Sequence, residues 1–349
     1  MDQISQGLEY IAELAAERLG DIWSYPFLVG PTDPLYGPYL LIDLGVGVAL
    51  YLWVSARAGG GFSDPLAFLF PRDVYQTRSA WTDLKLYLFN RVFGKLLSLG
   101  LVLSAAIWVG TSLSGILAGL IGEVGEIHDP GRRRLVEFGY TLSIFVASNF
   151  AFYVNHFALH KIPLLWEFHK THHAAEGLTP LTNHRFHPVE VVLNSCIQGP
   201  IIGFVSGLFR FFFSGSIGHS EFLVLTAANI SVFAALRSVA DSLYYSHFWI
   251  DFGPRWSHIF MSPAQHHIHH STKPEHHDTN LGALLSVWDW MFGTLYVPKG
   301  HEALEYGLPD NEHLAFQSVR GSLVVPLLAA WKRLRGKAVP GAGPTGPAR

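Results

Sequence analysis

Residues 96–121 read LLSLGLVLSAAIWVGTSLSGILAGLI and contain no charged side chain. About 20 apolar residues in a helix cross the hydrocarbon core of a bilayer, so this stretch is long enough to span a membrane. Backbone in lipid must satisfy its own hydrogen bonds, which favours helices. Four other apolar runs reach or approach the same length: Tyr39–Ala56, Phe138–Val154, Val191–Leu208 and Phe222–Leu243. The sequence therefore predicts an all-α, multi-pass membrane helical bundle; the alternative is a soluble protein in which these runs are buried core helices.

The composition agrees with this fold class. Hydrophobic residues make up 49% of the 349-residue chain and charged residues 15%, whereas roughly a quarter of the residues of a soluble domain are charged. The single cysteine, Cys196, excludes an internal disulfide and argues against a thiolate metal site. Residues 1–20 are acidic and amphipathic, unlike a cleavable signal peptide, and the Gly/Pro-rich residues 336–349 are expected to be disordered.

The distribution of lysine and arginine predicts the orientation in the membrane. Basic residues are frequent between the first two runs and at the C-terminus, whereas the segment before Tyr39 has six acids and only Arg18. The positive-inside rule therefore places the N-terminus outside and the C-terminus in the cytoplasm. The triplet Arg132–Arg134 argues against this orientation, because it would lie outside.

Histidine is concentrated in one part of the chain, since 16 of the 19 histidines fall between His156 and His277. They form one H-x-x-x-H and two H-x-x-H-H patterns, and this helical spacing puts the rings of each pattern on one face. Two further histidines flank the spans. In the predicted topology all of these lie in a cytoplasmic, histidine-rich helical cap. The candidate ligands are His156, His160, His169, His172, His173, His187, His247, His266, His269 and His270.

Clustered imidazoles are best explained by metal binding. Packed rings would repel each other when protonated and would leave buried nitrogens unpaired, whereas a metal binds the neutral ring. The number of rings suits two metals, and no H-E-x-x-H zinc motif occurs. Imidazole suits iron, zinc or copper, so the ligand type leaves the metal open. The apolar setting favours redox chemistry over hydrolysis. Isolated histidines are expected to be ordinary interfacial residues: His128, His219, His258, His301 and His313.

Several motifs resemble those of the fatty acid hydroxylase superfamily, also called the sterol desaturase family. They are NHFALH, LWEFHKTHH, RFHPVE, QHHIHHSTKPEHHDTNLG and WDWMFGT, which together cover roughly residues 135–297. The resemblance implies a membrane enzyme with two non-haem iron ions held by the candidate histidines, with His187 a ligand or a supporting donor. It also implies O₂ as co-substrate, two electrons per turnover, and hydroxylation or desaturation of a lipid such as a fatty acyl chain or sterol.

Other residues are assigned supporting roles. Asn280 matches a recurrent asparagine of the family, while His184, His267, His276 and His277 are expected on the surface or behind the ligands. Carboxylates near the site could orient ligand rings through their second N–H; the candidates are Glu190, Asp241 and Asp278. No catalytic acid or base is assigned. The expected division is 1–134 (amphipathic segment and two spans), 135–298 (catalytic domain) and 299–349 (cytoplasmic tail).

The expected partners follow from the same resemblance. No flavin, haem or iron–sulfur motif and no basic nucleic-acid patch occurs in the sequence, so the electrons must come from a separate ferredoxin or cytochrome b5-type donor with its reductase. The lipid is expected to enter from the bilayer, and the expected location is a bacterial inner membrane with the active site cytoplasmic. Two alternatives stay open. One is a desaturase or sterol methyl oxidase, and the other is a metal transporter or sensor.

Overall fold

The computed structural model describes residues 37–57, 64–122, 124, 129–213 and 219–337. The acidic N-terminal segment, His128 and the end of the Gly/Pro-rich tail lie outside these residues. The described part of the chain is helical, apart from loops and two isolated β-bridges. An all-α fold is therefore confirmed for this part of the protein.

The described residues contain twelve α-helices, which we number α1 to α12 in chain order. Their bounds are Gly37–Arg57, Pro65–Leu69, Arg72–Tyr75, Arg78–Ile121, Pro130–Lys161, Pro163–His173, Pro188–Phe213, His219–Tyr244, Gly253–Trp256, Pro263–His269, Val287–Phe292 and Val319–Leu334. Three 3₁₀ helices cover Thr182–His184, Pro274–His276 and Pro309–Phe316. Each of the five predicted apolar runs lies inside one helix, namely α1, α4, α5, α7 or α8.

Within the described residues, three helices are long and apolar enough to cross a membrane: Gly100–Ile121 of α4, and all of α5 and α7. Outward-facing apolar side chains such as Trp108, Leu120 and Phe138 are exposed on them, as expected of surfaces that meet lipid. These helices support an integral membrane protein.

The helices α4 and α7 touch along a line of small residues. A Cβ added to Gly199, Gly203 or Gly207 would come within 2.5–2.9 Å of atoms of α4. Glycine therefore lets the two backbones meet, which is the usual solution in lipid, where hydrophobic burial does not drive helix association. On the other side of α7, Tyr140 of α5 is fully buried and its hydroxyl lies 2.9 Å from Ser206 Oγ.

The histidine patterns lie at one end of this bundle. Pro163 starts α6 two residues after α5 ends, and Pro188 starts α7, so both prolines occupy the first turn where their missing N–H costs nothing. A buried clamp ties this end to α4. Arg185 is fully buried and donates to Asp83 Oδ1 (2.8 Å), to Ser79 Oγ (3.0 Å) and to the carbonyl oxygen of Thr171 in α6 (2.9 Å).

Candidate metal centre

Five histidines from three helices form what we call the first histidine group: His156 and His160 of α5, His169 and His173 of α6, and His269 of α10. One ring nitrogen of each lies within 4.8 Å of those of the others, and all five residues are buried. Residues four apart lie on the same face of a helix, so the histidine pairs of α5 and of α6 direct their rings to the same point.

The outer nitrogen of four of these rings faces an oxygen that can only accept a hydrogen bond. His156 Nδ1 lies 2.8 Å from the carbonyl oxygen of Leu281, and His269 Nδ1 lies 2.9 Å from that of Thr279. Two carboxylates serve the other rings, since His169 Nδ1 is 2.7 Å from Glu190 and His160 Nδ1 is 3.3 Å from Asp278. Each Nδ1 must therefore carry the proton, which leaves a lone pair on Nε2.

These lone pairs converge. His156 Nε2 lies 3.1 Å from His169 Nε2, and His160 Nε2 lies 3.2 Å from His173 Nε2, while His269 Nε2 is buried without a hydrogen-bond partner. The Nε2 atoms of His156 and His169 both act as acceptors and therefore cannot hydrogen-bond each other, and buried polar atoms without partners are costly. A metal ion satisfies all of these nitrogens at once, so the donor set fits a metal.

Three more rings form a second histidine group: His172 of α6, His266 of α10 and His270, the residue directly after α10. His266 Nε2 lies 3.1 Å from His270 Nε2, and the ring centroids of His172 and His270 are 4.7 Å apart. A hydroxyl group also contacts this second group, because the oxygen of buried Tyr245 lies 3.0 Å from His172 Nε2. The two groups are adjacent, since the rings of His173 and His270 are also 4.7 Å apart. The first group could therefore hold a metal ion, and the second group lies directly beside it.

Burial keeps these imidazoles neutral. Removal from solvent is the main reason why the pKa of His172, His173, His266 and His270 is well below its ordinary value, and it lowers the pKa of His269 to about 3. Neighbouring histidines lower these pKa values further. Since only the neutral ring binds a metal, the rings are ready to bind at neutral pH without first losing a proton.

The structure does not bring two of the predicted residues to this cluster. His187 Nε2 lies 3.1 Å from the carbonyl oxygen of Leu323, and His187 Nδ1 accepts from the backbone of Val189. His247 Nε2 lies 2.8 Å from the carbonyl oxygen of Phe68. Both rings therefore contact backbone instead of other candidate histidines.

The histidines expected behind or outside the site have varied surroundings. The ring of His184 packs edge-on against Tyr87, and His277 Nε2 lies 3.2 Å from the carbonyl oxygen of Thr272. His267 and His276 are buried instead of lying on the surface, and His276 is 3.3 Å from a carboxylate oxygen of Glu302.

Of the three carboxylates expected to orient ligand rings, Glu190 and Asp278 contact ring nitrogens of the first histidine group, as described above. Asp278 also pairs with Lys161, at 2.5 Å. Asp241 instead pairs with Arg237 of the same helix and accepts from Asn183, at 2.8 Å. No sequence pattern indicated Tyr245 or the two carbonyl oxygens that face His156 and His269, because these contacts depend on loop conformation and not on residue spacing.

Comparison with known proteins finds a family that matches part of the chain. Residues 141–294 match the model of the fatty acid hydroxylase family, and they include all eight histidines of the two groups. The histidine-bearing part of the chain is thus similar to the fatty acid hydroxylase family. No solved structure matches it significantly.

Curated relatives of this chain are lipid-modifying enzymes by name. Alkylglycerol monooxygenase of Xenopus tropicalis is 30% identical over 182 residues, which cover 50% of this chain and 34% of that protein. The human alkylglycerol monooxygenase is 25% identical over 48% of this chain and 32% of its own length. The ornithine lipid hydroxylase OlsE of Rhizobium tropici is 27% identical over 63% of this chain and 61% of its own length. The chain thus spans about a third of the alkylglycerol monooxygenases that it matches.

Proposed function

We propose that the protein is a membrane-bound, non-haem di-iron oxygenase that hydroxylates an unactivated C–H bond of a lipid, with O₂ and two electrons. The observation that carries the proposal is the convergence of ring nitrogens in the first histidine group. The second histidine group lies beside it and is contacted by the Tyr245 hydroxyl. Similarity of residues 141–294 to the fatty acid hydroxylase family supports the reaction class.

The proposed ligands are the eight histidines of the two groups, and His187 and His247 are not among them. The first group would hold one iron and the second group the other, and bound iron would supply the redox chemistry that activates O₂. Imidazole ligands with open coordination positions are compatible with iron.

The protein's own residues hold and shield this centre. Glu190 and Asp278 fix the tautomer and the direction of His169 and His160. Burial of all eight rings excludes water, which protects reactive species from side reactions. The Tyr245 hydroxyl contacts the ring of His172 in the second group. It is therefore placed to hold a proton or a hydrogen bond at that ring.

We propose a bilayer lipid as substrate and a separate electron donor of the ferredoxin or cytochrome b5 type. The relatives are named as a monooxygenase and a hydroxylase, which favours insertion of oxygen over desaturation, with a desaturase or sterol methyl oxidase as the alternative. The site would face the cytoplasm of a bacterial inner membrane. A metal transporter is disfavoured, because transporters hold their ligands near the bilayer midplane, whereas these histidines follow or precede the apolar runs.

The test is metal content and Mössbauer spectroscopy of the purified protein, followed by product analysis with a lipid extract and a reductant. We expect two irons per chain. His172→Ala and His269→Ala should each lower the iron content, whereas His247→Ala should retain it. A product that has gained one oxygen atom supports hydroxylation, and one that has lost two hydrogen atoms supports the desaturase. A single zinc that persists in both cluster variants would overturn the proposal.

A further inference from the structure

The last helix, α12, has two faces of different character. Its inner face is buried and consists of Ser322, Pro326, Ala329 and Ala330, which lie toward α6, the helix that carries three of the cluster histidines. The carbonyl oxygen of Ser322 accepts from Thr171 of α6, at 3.1 Å. This contact fixes the rotation of α12, so its opposite face points away from the other helices that the structure describes.

The outer face of α12 is apolar and exposed. Its members follow the helical spacing i, i+3, i+4, i+7 and i+10, and they are between 39% and 73% exposed: Val324, Leu327, Leu328, Trp331 and Leu334. A helical stripe of large apolar side chains in solvent is unfavourable, and such patches mark sites of interaction with protein or membrane. We therefore expect this stripe to contact a partner, either a protein or a membrane.

Charge and aromatic content favour a lipid surface. The last turn of α12 and the residues after it carry Lys332, Arg333, Arg335 and Lys337, with no acidic residue among them. The guanidinium of Arg335 lies 3.8 Å from the centroid of the Trp331 ring. Lysine and arginine beside tryptophan and leucine on an amphipathic helix are the signature of a helix that lies in a membrane interface and meets anionic headgroups.

The location of α12 agrees with that partner. Arg333, Leu334 and Lys337 line an open cleft of about 340 Å³ together with Pro163 and Leu164. Pro163 comes two residues after the end of α5, one of the three helices able to cross a membrane. The exposed face of α12 is thus close to the chain segment that leaves the membrane.

We propose that α12 docks on the leaflet at the histidine-bearing end of the bundle. Its apolar stripe would contact acyl chains, and its basic residues would bind the phosphates of anionic lipids. Because α12 contacts α6 directly, the leaflet would support the helix that positions His169, His172 and His173. The proposal needs membrane integration of the protein, but not its enzymatic activity.

Spin-label accessibility tests this arrangement in the full-length protein. Leu328→Cys in a Cys196→Ala background is labelled with a nitroxide and reconstituted in nanodiscs of phosphatidylcholine with or without phosphatidylglycerol. We expect the label to collide several-fold more with O₂, which partitions into lipid, than with a water-soluble nickel chelate. A label at exposed Glu305, placed by Glu305→Cys, is the matched control and should show the opposite preference.

A charge-reversal variant tests the lipid class. Lys332→Glu combined with Lys337→Glu should move the label at position 328 toward water in discs that contain phosphatidylglycerol, with a smaller effect in pure phosphatidylcholine. Arg333 is left unchanged because it pairs with buried Glu167. A label at position 328 that is accessible to the nickel chelate in both lipids would overturn the proposal. Dipolar broadening between two labelled copies would also overturn it, by assigning the stripe to a dimer contact.

Discussion

Glu190→Gln tests whether the first histidine group is a metal site whose rings are held by their second nitrogen. Glu190 accepts from two N–H groups, because Oε2 lies 2.7 Å from His169 Nδ1 and Oε1 lies 3.1 Å from the backbone nitrogen of His187. Glutamine has the same shape but only one acceptor, so one of these two N–H groups must lose its partner or face an NH₂ group.

Both orientations of the new amide weaken metal binding. If its nitrogen faces His169, the ring moves its proton to Nε2, the atom that lies 3.1 Å from His156 Nε2, and can no longer ligate there. If its oxygen faces His169, a neutral acceptor replaces a charged one and the His187 N–H is left unpaired. Loss of such an outer partner costs about 10–100-fold in metal affinity, or about 1.4–2.7 kcal/mol.

Competition between the metal-free protein and a chelator of known affinity measures this loss, with Co²⁺ as a spectroscopic probe. Exposed Glu275 provides a matched control, and Glu275→Gln should bind the metal as wild type does. Equal affinity in Glu190→Gln and wild type would refute the assignment of Nε2 as the ligating atom of His169. An equal loss in both variants would show a general charge effect instead.

Three further predictions concern stability, measured by thermal or denaturant unfolding in detergent. Arg185→Ala should cost about 3–5 kcal/mol, because it leaves the Asp83 carboxylate buried without its cation. Gly203→Ala puts a Cβ 2.5 Å from a backbone oxygen of α4 and should cost about 1–3 kcal/mol, whereas Gly119→Ala, with no atom within 4 Å, should be neutral or stabilising. Burial raises the pKa of Asp289 from 3.8 to about 6, so the folded state holds this proton more tightly than the unfolded state does. As the pH rises from 4 to 6, ionisation of this carboxyl should therefore lower the free energy of unfolding by up to about 3 kcal/mol. Asp289→Asn should lack this pH-dependent loss. An unchanged pH slope in that variant would refute the assignment.

Sequence patterns predicted the helices well, because the membrane imposes one solution on a long apolar run. All five runs lie in helices, and prolines 163 and 188 occupy the first turns of α6 and α7. The close approach of α4 and α7 was not predicted, since small residues on α7 indicate a helix contact only when the facing helix is known. The spacing of Gly199, Gly203 and Gly207 was the available signal.

The site was predicted in part, and the limit was side-chain direction. Helical spacing brought together the rings of each pattern, but it did not show that His173 turns to the first group and His172 to the second. His187 and His247 lie in loops beside helix ends, where no periodicity fixes the ring, and each found a backbone carbonyl instead. Ring positions were thus predicted where the local backbone is a regular helix, and not where it is a loop.

The loop at residues 278–281 shows why a recurrent asparagine belongs to this site. Asp278 and Asn280 both have positive φ, at 58° and 54°, a conformation that costs about 1–3 kcal/mol unless the surroundings enforce it. Fully buried Asn280 enforces it, because its amide donates to the carbonyl oxygen of Gln265 in α10 and accepts from the backbone of Tyr296. The bend turns the carbonyl oxygens of Thr279 and Leu281 toward His269 and His156. Asn280 therefore controls two ring tautomers without touching either ring, which gives a physical basis for its predicted supporting role.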